Sequence, residues 1–239
     1  MTPPPSTVDG QELRAVTFDA TGTLFHAPRL GEIYSEVLTR HGVPVSAEQA
    51  LALVRRVWVE FDCAVEPKHD RFAAHPRGAK GWWSDFLERL CRHLDCGEVS
   101  PFAASELYER FSRAGAWEVF PEAPAALEEL SSAGLALGVV SNWDERLPQI
   151  LERLGIGKWL AAVSYSQAVG VEKPHAAIFH DGLVKLGVEP GEALHVGDRK
   201  LQDVEGAEGA GMRAIHLDRE GKGEGVSDLE ELVKRLNPA

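Results

Sequence analysis

The chain has 239 residues, with 25 Lys plus Arg against 37 Asp plus Glu, a formal net charge of −12, and 44% hydrophobic residues. At ~150 residues per domain this is one or two globular domains with a substantial core, and so acidic a field, with no Lys/Arg stripe to offset it, excludes nucleic acid as an expected partner. No window approaches the ~18 consecutive apolar residues of a membrane span, and the amino terminus lacks the basic-then-apolar order of a secretion signal, so a cytoplasmic protein without a membrane partner is expected.

The first dozen residues, including Pro3-Pro4-Pro5, carry no hydrophobic periodicity and read as a lead-in outside the core. Residues 15–18, Ala-Val-Thr-Phe, form a short apolar run ending at Asp19, the pattern of a buried parallel strand that opens into a loop. Residues 28–115 break the rhythm, because apolar residues recur there at helical spacing (Ile33, Tyr34, Val37, Leu38; Trp82, Trp83, Phe86, Leu87, Leu90). A stretch this long packs as a small bundle of its own.

Four further strand-like runs follow at residues 135–140, 160–163, 193–196 and 214–217. Amphipathic stretches at 124–133, 146–154, 174–186 and 201–210 accompany them, each closed by a glycine. Regular β-α alternation predicts an α/β fold, a doubly wound parallel sheet with right-handed crossovers. Residues 228–233 read as a last helix on the sheet. Cys63, Cys91 and Cys96 are odd in number and lack zinc-site spacing, as expected of small packing residues in a reducing compartment.

Open α/β sheets bind ligands beyond the carboxyl ends of their strands. There the first strand delivers Asp19, Thr21, Gly22 and Thr23, and the second Ser141 and Asn142. The third is followed by Lys173-Pro174, and the fourth delivers Asp198 with Asp203 five positions on. Each element is common by chance, but the ordered set is specific. A carboxylate attacking a phosphate dianion needs compensating positive charge. Lys173 supplies one, and Asp19 with Asp198 or Asp203 offers hard oxygens suited to Mg²⁺.

Phe18-Asp19-Ala20-Thr21-Gly22-Thr23-Leu24-Phe25, Val140-Ser141-Asn142, Lys173-Pro174 and Gly197-Asp198 with Asp203 together resemble the four motifs of the haloacid dehalogenase-like hydrolase superfamily, in order. The resemblance implies a Rossmann-like core over residues 1–27 and 116–239, with an inserted helical cap over 28–115. It implies a catalytic set of Asp19, Thr21, Thr23, Ser141 and Lys173, in which Asp19 becomes an aspartyl ester. Ser141, Asn142 and Lys173 would meet the substrate. Asp19, the Thr21 carbonyl, Asp198 and Asp203 would surround Mg²⁺, with Asp203 either a ligand or a support. The expected substrate is a small phosphorylated metabolite or another small anion, and the oligomeric state is left open.

One departure bears on rate. Most phosphatases of this family carry Asp two positions after the nucleophile, where this chain has Thr21, and general acid–base catalysis is worth about 10²–10⁴-fold. Three readings follow: a slow Mg²⁺-dependent phosphomonoester phosphatase, which the acidic residues after Gly197 favour; a metal-independent 2-haloacid dehalogenase; or a phosphate- or partner-binding module with little turnover. His26 is either a substitute acid or a packing residue. Arg71, His75, Arg77 and Lys80 meet an anionic substrate or form a solvated face. Trp58, Trp82 and Trp83 are expected in the helical core, and Trp143, next to Asn142, either lines the site or acts as a wedge.

Overall fold

The computed structural model describes residues 7–8, 11–64, 69–94, 100–221, 223 and 225–236. The triple proline, Cys96 and the side chain of Cys63 lie outside the described residues. In chain order the elements are β1 (Thr7–Val8), β2 (Gln11–Glu12), β3 (Ala15–Phe18), β4 (Phe25–His26), α1 (Leu30–Arg40), α2 (Ala47–Ala64), α3 (Gly78–Arg92), α4 (Pro101–Arg110) and β5 (Glu118–Val119). Then come α5 (Ala123–Ser132), β6 (Ala136–Ser141), α6 (Leu147–Arg153), β7 (Leu160–Tyr165), α7 (Ser166–Val169), α8 (Ala176–Leu186), β8 (Ala193–Gly197), a π-helical segment (Lys200–Glu205), α9 (Gly206–Gly209), β9 (Arg213–His216) and α10 (Leu229–Leu236).

The chain divides into two compact units, residues 1–26 with 119–239, and residues 27–118. In the first, five parallel strands are ordered β7-β6-β3-β8-β9. This is the Rossmann-like α/β arrangement, with the switch in strand order at β3. That strand is central, and all four of its residues are buried, which is why it reads as an unbroken apolar run. Helix α8 shows how local chemistry sets the boundaries. The His175 imidazole accepts from Ala177 N at its start, and Gly187, at φ 67°, ends it while Val188 N donates back to Leu183 O, a Schellman closure that needs the left-handed conformation glycine tolerates.

Several elements differ from expectation. The predicted helix at 201–210 is a π-helical segment followed by one α turn, a geometry that recurs at functional sites. The short strands β4 and β5 and helix α7 carry too few residues to show a period. Helix α10 packs chiefly on α5 rather than directly on the sheet.

The second unit consists of α1–α4 around one apolar cluster that includes Val37, Val57, Trp82, Phe86 and Leu90. Trp58, Phe61, Phe72, Trp82, Trp83 and Phe86 meet with ring centroids 4.9–6.1 Å apart, at about 0.5–1.5 kcal/mol per pair beyond area burial. Trp82 is thus core, Trp58 and Trp83 pack against it partly buried, and Cys91 is buried in the same cluster. Arg71, His75, Arg77 and Lys80 have acidic partners inside this unit. Arg71 pairs with Asp62 at 2.9 Å, His75 and Arg77 with Asp85, and Lys80 with Glu109 at 3.7 Å. Among the described residues no helix is long and apolar enough to cross a membrane.

Candidate active site

The register of the central strands brings the candidate residues together. Phe18 lies opposite Val139 on one side and Val196 on the other, so the chain leaves all three strands at one edge. Asp19 is anchored there by its own N–H, which donates to Val196 O at 2.9 Å. Ser141 Oγ donates to Asp19 Oδ1 at 2.7 Å, and Lys173 Nζ donates to the same oxygen at 2.6 Å. No described residue donates to Asp19 Oδ2.

Lys173 is buried and gives its remaining hydrogens to Val140 O at 2.9 Å and Asp203 Oδ1 at 2.5 Å. Burial alone would depress its pKa, but Asp19 and Asp203 outweigh that and hold it above the ordinary ammonium value. Asn142 grips the same residue from the backbone side, its Oδ1 accepting from Lys173 N at 2.7 Å and its Nδ2 donating to Lys173 O at 3.1 Å. Its side chain therefore holds the Lys173 loop.

Asp203 is buried and occupied at both oxygens. Besides Lys173 on Oδ1, the N–H of Arg199 donates to Oδ2 at 2.9 Å, while Asp203 N donates to Arg199 O. Burial opposes its ionisation, but Lys173 and then His195 hold it below the usual carboxylate range. His195, fully buried, spans Thr17 Oγ1 at 2.9 Å and Asp203 Oδ1 at 3.4 Å. Burial, chiefly, depresses its pKa, so it is neutral.

Asp198 stands apart from this paired set. Its Oδ1 is buried and finds no hydrogen-bond partner among the described residues. Burial, then the charges of Asp19 and Asp203, push its pKa up to about 6. It packs against Gly22, whose φ is 92° and where an added Cβ would lie 2.6 Å from Asp198 Oδ2, so glycine is required on both steric and conformational grounds. Among the described residues no three His, Cys, Asp or Glu side chains converge as a ready ligand set. The candidate ligands are thus the carboxylates of Asp19 and Asp198 with backbone carbonyls.

Thr21 is exposed, and its Oγ1 accepts from Trp143 Nε1 at 3.0 Å. The Trp143 ring also meets Phe25 edge-on, with centroids 6.0 Å apart. The Thr23 hydroxyl is buried and has no hydrogen-bond partner among the described residues. The Thr23 carbonyl instead accepts from Arg219. His26 stacks on Phe120, with centroids 4.6 Å apart and planes 10° apart, a packing role. Sequence reading passed over His195 and Arg219. A histidine inside an apolar strand was the available sign of the first, and nothing local marks the second.

A sequence model of the family described as haloacid dehalogenase-like hydrolase matches residues 13–211. The haloacid dehalogenase-like hydrolase domain-containing protein 3 of Mus musculus is 35% identical over 215 residues, covering 85% of this chain and 81% of that protein. The phosphoserine phosphatase of Thermus thermophilus is 38% identical over 141 residues, 58% of this chain and 57% of that one. Among solved structures, a HAD phosphatase from Thermococcus onnurineus is similar at TM-score 0.66 and 28% identity, covering 94% of this chain and 98% of that one. An L-2-haloacid dehalogenase from Xanthobacter autotrophicus shares the fold at TM-score 0.66 and 24% identity, over 94% and 88% of the two chains.

Proposed function

The chain belongs to the haloacid dehalogenase-like hydrolases, and within that family we propose that it is a Mg²⁺-dependent phosphomonoester phosphatase whose nucleophile is Asp19. The carrying observation is the split environment of the two carboxylates. Asp19 Oδ1 is fixed by Ser141 and Lys173, while Oδ2 is unengaged by any described residue, near an Asp198 with a buried oxygen lacking a partner and a pKa raised to about 6. A corner with this surplus of negative charge suits a hard cation, and Mg²⁺ characteristically takes one or two carboxylates together with water and substrate phosphate. Asp19, Asp198 and the Thr21 carbonyl would hold it, and when bound it offsets the charge of the phosphoryl group. Asp203, with both oxygens engaged, supports Lys173 instead of serving as a ligand.

An Asp19 carboxylate oxygen attacks phosphorus and the bond from phosphorus to the substrate alcohol oxygen breaks, leaving an aspartyl-phosphate. Water then attacks that phosphorus, releasing phosphate and restoring the carboxylate. Lys173 contributes a fixed positive charge beside the reacting oxygens, and Ser141 offers a hydroxyl. Thr21 has no proton to exchange near neutral pH, so the leaving alkoxide is protonated from water, which makes turnover slow for substrates with poor leaving groups. Phosphatase-named relatives support a small phosphorylated metabolite as substrate. A reducing, cytoplasmic setting suits cysteines without disulfide or zinc spacing.

The test is phosphate release from p-nitrophenyl phosphate and a panel of sugar, nucleotide and small-acid phosphates, with Mg²⁺ or chelator, against Asp19→Asn. Metal-dependent turnover absent from Asp19→Asn is the expected result. Chelator-resistant halide release from 2-haloacids would replace this reading with carbon–halogen hydrolysis. Binding of phosphate analogues without turnover would leave a binding module.

A further inference from the structure

We propose that Arg219 is a positioning residue for the nucleophile loop, holding the Gly22 and Thr23 peptides so that Gly22 stays seated against Asp198; this rests on the reading of Asp19 and Asp198 given above. Arg219 follows β9, nearly 200 residues from the loop it touches. Its Nε donates to Gly22 O at 3.0 Å and its Nη2 to Thr23 O at 2.8 Å. The third nitrogen, Nη1, donates to Glu122 Oε1 at 2.7 Å, and the guanidinium carbon lies 3.5 Å from the centroid of the Phe120 ring. All three nitrogens are thus engaged and one face is stacked, so the plane of the group is fixed.

The geometry needs a planar fork. Two carbonyls close together in the chain accept from two different nitrogens of one rigid group, which the compact ammonium of lysine does not reproduce. Glu122 offsets the charge, so what the arrangement supplies is position more than potential. Position matters at this point in the chain because Gly22 N also donates to Phe25 O at 2.8 Å, and the space beside its Cα is filled by the Asp198 carboxylate, so that an added Cβ would lie 2.6 Å from Oδ2. Arg219 holds the carbonyl side of the peptide that Asp198 bounds. Release of the clamp lets this loop rotate, changing the spacing between Asp198 and the Thr21 carbonyl just before Gly22. The cation corner and the aim of Asp19 both depend on that spacing.

The test compares wild type, Arg219→Lys and, as a surface control, Arg14→Lys. Three quantities are measured: the melting temperature in chelator, the Mg²⁺ concentration that gives half the metal-induced rise in melting temperature, and kcat and KM for p-nitrophenyl phosphate. Arg219→Lys should raise the Mg²⁺ half-point about tenfold or more and lower kcat by a similar factor, with a smaller change in KM, while Arg14→Lys stays at wild-type values. A variant that loses only metal-free stability, with the half-point and kcat of wild type, would reduce Arg219 to a structural residue and overturn the proposal. Wild type indifferent to Mg²⁺ in both readouts overturns the phosphatase reading and this proposal with it. If Arg219→Lys does not fold, Glu122→Ala, which frees one arm of the clamp, should move both readouts in the same direction by less, and wild-type values there count against the proposal.

Discussion

Lys173 donates to Asp19 Oδ1 across 2.6 Å, from 154 positions further along the chain. The ammonium is buried, and its second carboxylate, Asp203, is buried as well. A buried cation between two anions contributes little net stability as a set, but removing it strands two desolvated charges. Lys173→Met should therefore abolish phosphate release and cost about 3–5 kcal/mol of folding stability. Urea unfolding at pH 7 measures the cost, and a loss under 1 kcal/mol would mean that water compensates the pair.

Thr21 accepts from Trp143 Nε1, which occupies its oxygen and leaves a neutral hydroxyl where an acid would speed alcohol departure. Thr21→Asp should raise Mg²⁺-dependent kcat by as much as about 10²–10⁴-fold, the usual worth of general acid–base catalysis. The gain should be largest for alkyl phosphates, whose alkoxides leave poorly. Equal rates in wild type and variant would place the limiting defect elsewhere.

Gly197 carries no side chain because Asp203 occupies the space, and an added Cβ would lie 2.2 Å from Asp203 Cγ. Gly197→Ala should cost about 1–3 kcal/mol through overpacking. It should also displace Asp203 from Lys173, lowering kcat together with the melting temperature. A variant with a wild-type melting temperature would show that the π-helical segment yields without strain.

His195 has its pKa depressed chiefly by burial. Below the unfolded-state value of about 6.5 the unfolded chain takes up a proton that the folded chain refuses, so stability present above that pH is lost as pH falls through it toward the folded value. Just below pH 6.5 the slope from this residue is up to about 1.4 kcal/mol per pH unit. His195→Gln should flatten it by that amount in chemical denaturation at several pH values. An unchanged slope would assign the dependence to other groups.

Local patterning was enough for the alternation of strands and helices, the helical insertion and the order of Asp19, Ser141, Lys173 and Asp198 along the chain. Those features rest on hydrophobic period and on glycine and proline chemistry, which a few neighbouring residues determine. The ends of β6 and β7 and the π-helical segment before α9 were less legible, because pairing register and the ring closed by Asp203 and Arg199 decide them.

Side-chain commitments belong to the tertiary structure. Sequence order places Asn142 and Asp203 among the candidates for substrate and metal, yet folding turns one onto the Lys173 backbone and the other onto the Lys173 ammonium. Chain order alone carries which chemical groups reach the edge of the sheet, since each sits just after a buried strand. Which of them pair and which stay open is set by folding, as is the approach of Arg219 to Gly22. The physical reason is that hydrogen bonds and ion pairs form between groups close in space, and residues 154 or 197 positions apart become neighbours only once the sheet has closed.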